Sequence, residues 1–209
     1  MLMNEVNQQN FEEVLEVNTT MNHFAENETS PETLDGSFSR ELMLGKLDLL
    51  QQLRYVLDEL DVPMLNVAYI LGSWYGNLGI LMALDNFPVK KIINVDIEPN
   101  YIKLSKEFMQ RLDARAQHMI QDVNKLDYRQ ARKPSVIINA SCNDIAGSSW
   151  FDRIPLGTLV VLNAGDQEDS LRTYQDLNAL VQTWPMRKLL LADEFVYGDY
   201  QRFTVIGIK

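Results

Sequence analysis

Short apolar runs that alternate with helical stretches constrain this chain more than any other feature. Asn66–Leu71, Lys91–Asp96, His118–Gln121, Ser135–Ala140 and Thr158–Asn163 read as strands. Most of them lack the polar-apolar alternation of a half-exposed strand. Helical stretches are expected at Asn77–Asp85, from Pro99 to about Leu112, and at about Leu171–Gln182. Pro99 suits a first helical position, where no backbone N–H is needed. Lys188–Tyr197 and Gln201–Ile208 flank Gly198-Asp199-Tyr200 and read as a closing hairpin. The order is βαβαβ, then βαβαβ, then the hairpin. Strands without a polar face must be covered on both sides, which demands a parallel sheet between helices. The expected core is a doubly wound α/β domain over about residues 62–209. Its sheet has seven strands, mostly parallel, and ends in an antiparallel hairpin.

One helix precedes that core. Ser39 is a plausible N-cap with Glu41 in the first turn. Leu42, Leu49, Leu53, Val56 and Leu60 then form a helical stripe that Leu50 and Leu57 widen. Asp61-Val62-Pro63 ends it. Residues 39–60 are therefore a packing helix beside the sheet, and 39–209 form one domain.

Charge separates the remaining segment. Of 29 acids in the chain, eight lie before Arg40, where no Lys or Arg occurs: Glu5, Glu12, Glu13, Glu16, Glu26, Glu28, Glu32 and Asp35. Residues 1–38 read as an acidic, largely flexible arm, either a solubilising tail or a lid over a site. The rest is nearly neutral. A neutral body with no basic stripe and an acidic head disfavours nucleic acid as a partner. The single cysteine, Cys142, permits no intrachain disulfide. No apolar run approaches a membrane span, and the first residues lack a signal-peptide pattern, so a reducing cytoplasm is the expected compartment.

Ligands of doubly wound sheets bind outside the carboxyl ends of the strands. The first end reads Leu71-Gly72-Ser73-Trp74-Tyr75-Gly76, with Gly79 beyond it. Glycine there permits a tight turn and close backbone approach, and the next helix offers free N–H groups. The second strand ends in Asp96, followed by Ile97. An acid at that place can take both hydroxyls of a ribose, or it can cap the helix ahead of Pro99. The third ends in Asp122-Val123, where the acid can accept from an exocyclic adenine amine or cap a loop. The fourth runs into Asn139-Ala140-Ser141-Cys142-Asn143-Asp144. Asn139 can orient an acceptor or the amino group of a cofactor, Ser141 and Asn143 are hydrogen-bonding candidates, and Asp144 is the best candidate base or amine anchor, unless Asn143-Asp144 only caps the next helix. Cys142 reads as a small buried residue. His23 lies in the arm and His118 opens a strand, so neither anchors a triad, and no Cys/His/acid cluster has metal spacing. The fifth end, Asn163–Asp169, is acidic and with Asp144 suits an amine-bearing substrate. Tyr197, Asp199 and Tyr200 at the hairpin turn are further candidates for an acceptor pocket.

Together these strand ends resemble the class I S-adenosylmethionine-dependent methyltransferases, over roughly residues 65–208. The resemblance places the last strand antiparallel beside the fifth. It implies a glycine-rich cofactor loop at Gly72, Ser73, Trp74 and Gly76, ribose binding by Asp96 with Ile97 beside it, and adenine binding by Asp122 and Val123. It also implies that Asn139, Ser141 and Asp144 face the methyl group. S-adenosylmethionine is the implied cofactor, and methyl transfer to a small-molecule or protein acceptor is the implied reaction. Two positions depart from the family pattern. Ile70 stands where an acid is usual two residues before the first glycine, and Trp74 replaces the middle glycine. Trp74 either stacks on a ligand or covers the core. The competing expectations are a methyltransferase-like binding protein without catalysis, an enzyme using the aminopropyl or carboxypropyl arm of the same cofactor, and a nicotinamide-dependent dehydrogenase. The last lacks the Tyr-x-x-x-Lys pair of the short-chain type.

Overall fold

The computed structural model describes residues 38–112, 115–130, 133–165 and 170–209, so the acidic arm up to residue 37 lies outside it. Phe38, read as the end of that arm, is buried in the core. Helix α1 spans Arg40–Glu59, and the Ser39 hydroxyl accepts from Leu42 N at 3.3 Å. Its face of Leu49, Leu50, Leu53, Val56 and Leu57 is fully buried. Each of those side chains contributes roughly 1.5–3 kcal/mol by leaving water. Leu42 and Leu60, counted in the stripe, are only partly covered.

The strands are β1 (Val67–Leu71), β2 (Ile92–Asp96), β3 (Ala116–Ile120), β4 (Ser135–Asn139), β5 (Leu159–Gly165), β6 (Lys188–Tyr197) and β7 (Tyr200–Ile208). They form one seven-stranded sheet in the order β3-β2-β1-β4-β5-β7-β6. β1 to β5 pair in parallel, and β7 runs antiparallel between β5 and β6. Helix α2 (Asn77–Leu84) links β1 to β2, and α3 (Pro99–Leu112) links β2 to β3.

Alternate strand residues feed two cores. Ala68, Ile70, Val136, Ile138, Val161 and Ile206 pack with α1 and α2 on one face. Tyr69, Leu71, Ile137, Val160, Leu162 and Phe203 pack on the other, under Trp150, Phe151 and Trp184. With apolar partners on both sides, β1, β2, β4 and β5 are mostly apolar on both faces.

The second half departs from the expected βαβαβ pattern. Two 3-10 turns, Val123–Lys125 and Tyr128–Gln130, join β3 to β4, and only α4 (Ser149–Asp152) joins β4 to β5. The helix expected at Leu171–Gln182 is shorter: α5 spans Leu177–Thr183, capped by Asp176, whose carboxylate accepts from Ala179 N at 2.8 Å. Arg172 cannot join it. Its N–H donates to Asn143 O, and its carbonyl accepts from Asn143 Nδ2. Both backbone groups are thus held outside any helix. His118 sits in the middle of β3 rather than at its start, within hydrogen-bonding distance of Asn94 and Ser105. No helix among the described residues is long and apolar enough to cross a membrane.

Candidate functional site

The carboxyl ends of β1 to β4 surround one cleft of about 390 Å³. Drug-sized ligands occupy pockets of roughly 300–1,000 Å³. β1 leaves the sheet through Gly72 and Trp74, both at positive φ, and Gly76 at φ 80° caps α2. A Trp at φ 49° is strained, at a cost of about 1–3 kcal/mol. Asp96 stabilises that turn: its Oδ2 accepts from Trp74 N at 2.9 Å, and its Oδ1 accepts from Glu98 N at 3.0 Å. One carboxylate therefore joins the ends of β1 and β2, and each oxygen keeps a lone pair.

Asp122 caps the first 3-10 turn by accepting from Asn124 N at 2.9 Å. That backbone hydrogen bond holds its carboxyl below the ordinary range. Capping and cleft lining coexist at this residue. From β4, Ser141 donates its hydroxyl to Gly72 O at 3.0 Å and its N–H to Asn139 Oδ1 at 3.0 Å. Asp144 is exposed at the mouth, and no hydrogen bond to its carboxylate was found among the described residues. Partial desolvation raises its pKa, and the Arg202 charge opposes that shift.

Of the residues singled out in the sequence, Gly72, Trp74, Asp96, Ile97, Asp122, Val123, Ser141 and Asp144 line this cleft. Ser73, Gly76 and Asn139 stand behind it, buried. Asn139 orients Ser141 instead of reaching the cavity, and its Nδ2 finds no partner among the described residues. Asn143, read as a hydrogen-bonding candidate for an acceptor, is spent on the Gly165 and Arg172 backbone. Cys142 is fully buried, and desolvation pushes its thiol up to about 12, which removes it as a nucleophile at neutral pH. Ile70 faces the α1 core with Ala68, away from the cleft. Tyr200 packs against Gly45 of α1, and Tyr197 lies under Arg40; neither lines the cleft. The acidic loop 166–169 lies outside the described residues. Among those described, no cluster of His, Cys, Asp and Glu is placed to hold a metal.

The sequence reading missed Glu98, Tyr101, Gln121 and Asn124, which also line the cleft. Tyr101 on α3 packs its ring 4.8 Å from that of Tyr75. A second, smaller cavity of about 40 Å³ adjoins the first and shares Gly72, Trp74, Ser141 and Asp144 with it. Its far wall is Leu42 and Lys46 from α1 and Arg202 from β7.

No protein-family model and no curated protein matches this sequence. Solved structures do. The magnesium protoporphyrin IX methyltransferase of Synechocystis, crystallised with bound S-adenosylmethionine, superposes with a TM-score of 0.57 at 12% identity, over 79% of each chain. An S-adenosylmethionine-dependent methyltransferase from Clostridium acetobutylicum gives 0.56 at 13% identity, over 77% of this chain and 90% of its own. One from Aquifex aeolicus gives 0.54 at 13% identity, over 74% and 88%. At such identities the likeness is one of architecture, and the strand order, with β7 inserted antiparallel between β5 and β6, agrees with it. The chain has the class I S-adenosylmethionine-dependent methyltransferase fold.

Proposed function

We propose that this protein binds S-adenosylmethionine in the large cleft and transfers its methyl group to an acceptor entering from the side of Asp144. The observation that carries the reading is the convergence of Gly72, Asp96 and Asp122, from three strand ends, on one cavity of suitable size. The residues fit the cofactor. Asp96 has a free lone pair on each oxygen for two ribose hydroxyls. Asp122 and Val123 border the adenine side, Ile97 and Tyr101 wall it, and Gly72 presents bare backbone near the methionine arm. A Cβ on Gly72 would come within 3.0 Å of Ser141 Cβ, so the loop and the β4 end are already in close contact.

When bound, the cofactor supplies an electrophilic methyl on a sulfonium. The protein's part is alignment and charge placement. Ser141 fixes the β4 end against the glycine turn. Among residues lining both cavities, Asp144 alone titrates. Its raised pKa makes it a better proton acceptor than an ordinary surface carboxylate, as loss of an acceptor proton requires. The test is calorimetric titration with S-adenosylmethionine, S-adenosylhomocysteine and NAD. Micromolar binding of the first two without NAD is the expected result. Failure of both sulfur ligands to bind overturns the reading, and tight NAD binding favours the dehydrogenase alternative.

Trp74 gives an optical reading of the same event. Of the three tryptophans, Trp150 and Trp184 are buried on the opposite face, whereas Trp74 lines both cavities. S-adenosylhomocysteine should therefore change the tryptophan emission of the wild type. Trp74→Phe should abolish that change while keeping affinity within about threefold, under 1 kcal/mol. An undiminished signal in Trp74→Phe places the ligand elsewhere.

A further inference from the structure

The small cavity beside the glycine turn holds an arrangement the reaction described so far does not use. Lys46 is 8% exposed and Arg202 6%, and both border it. Arg202 is anchored: Nε and Nη2 donate to Asn163 Oδ1 at 3.0 and 2.7 Å, and Nη2 donates to Ala140 O at 3.1 Å. Among the described residues no acceptor was found for its Nη1, and no hydrogen bond or ion pair for Lys46. Asp144 borders the same cavity without forming an ion pair with either cation. Burying a charge without a partner costs several kcal/mol. Two like charges in one wall add mutual repulsion. Burial, with Arg202 adding to it, brings the Lys46 ammonium down to about 7. A fold that keeps such a pair at the edge of its ligand cleft is built to receive negative charge.

The size of the cavity narrows the anion. At about 40 Å³ it takes one small anionic group, such as a carboxylate, and not a whole ligand. Its place narrows the owner. The large cleft has room for the cofactor, and the small cavity continues past Gly72 and Ser141 toward α1 and β7. We propose that the methyl acceptor is a small carboxylic acid whose carboxylate sits between Lys46 and Arg202, which leaves its nucleophilic atom beside Asp144. This rests on the methyltransferase reading above and adds the substrate class to it. Asp144 can still serve an amine on the same molecule, so an amino-acid-like acceptor satisfies both ends of the cavity.

The test uses the full chain as wild type, Lys46→Gln and Lys46→Arg. Propionate is the probe, with its neutral isostere propionamide and inorganic phosphate as controls at equal ionic strength. In wild-type protein saturated with S-adenosylhomocysteine, propionate should raise the melting temperature and propionamide should not. Lys46→Gln should weaken propionate about tenfold or more, the loss expected of one charge-assisted hydrogen bond. Lys46→Arg should retain most of it. Both variants should fold, and Lys46→Gln should melt no lower than wild type, because the lost charge had no partner. Affinity for S-adenosylhomocysteine and for methylthioadenosine, which lacks the amino-acid arm, should be unchanged in Lys46→Gln. Weakened S-adenosylhomocysteine with unaffected methylthioadenosine would assign the two cations to the cofactor's own carboxylate and overturn the proposal. So would phosphate binding tighter than propionate, or propionamide matching it. If S-adenosylhomocysteine fails to bind even the wild type, the methyltransferase reading falls and the acceptor assignment falls with it. Propionate titrated into ligand-free wild type and Lys46→Gln then shows whether a carboxylate site exists apart from that reading.

Discussion

Asp96→Ala should bind S-adenosylhomocysteine at least about a hundredfold more weakly than wild type, because a hydrogen bond to a charged group contributes roughly 1.5–3 kcal/mol and two ribose hydroxyls lose theirs. The same carboxylate holds Trp74 N and Glu98 N, so the substitution also loosens the turn that supports the cleft. Binding measured well below the melting temperature separates the two effects. Asp96→Asn keeps one oxygen for a backbone N–H but sets its amide NH2 against the other, so it should bind with intermediate affinity and melt below wild type. Calorimetry and thermal melting on the same samples check this. A folded Asp96→Ala that binds as tightly as wild type would remove the cofactor from this strand end.

A larger effect on stability is expected at Gly76. Its φ of 80° disfavours any side chain, and a Cβ there would overlap the Ser105 hydroxyl on α3. Ser105 is committed to a buried cluster with Asn94 and His118 that ties α3 to β2 and β3, so it cannot simply turn away. Gly76→Ala should cost about 3–5 kcal/mol, combining left-handed strain with overpacking. That is a large part of the 5–15 kcal/mol typical of a whole domain. Gly198→Ala is the control. It shares the positive φ at 59°, but nothing lies within 4 Å of its added Cβ, so it should lose only about 1 kcal/mol. Urea unfolding midpoints compare the two. Equal losses would show that strain alone, and not contact with Ser105, sets the cost at Gly76.

The sheet was legible in the sequence because its signals are local. β1, β2, β4 and β5 are each a short, mostly apolar run, and Gly72, Asp96 and Asp122 mark strand ends that meet in the cleft. The second half was less legible. Asn143 holds both backbone groups of Arg172 outside a helix, and nothing near Leu171 announces a partner 29 residues earlier. The two neighbouring asparagines of the fourth strand end show the same limit. Asn139 and Asn143 have the side-chain chemistry of acceptor-orienting groups, yet each is spent on backbone whose position depends on the finished sheet. Lys46 and Arg202 were illegible for a related reason. Lys46 looks like one charge on an amphipathic helix, and Arg202 like one on a hairpin strand. Only the insertion of β7 beside β5 brings them to one cavity wall.

That insertion also orders events during synthesis. β7 is an inner strand although Tyr200–Ile208 follows the other six strands of the sheet in sequence. Until it emerges, β5 has an unpaired edge along Leu159–Gly165, a run of seven buried residues. An exposed apolar edge of that length invites pairing with other chains. The nascent protein is thus most exposed to aggregation in the interval between the synthesis of β5 and that of β7. The pairing of β7, the seal on that edge and the arrival of Arg202 at the small cavity are one and the same event.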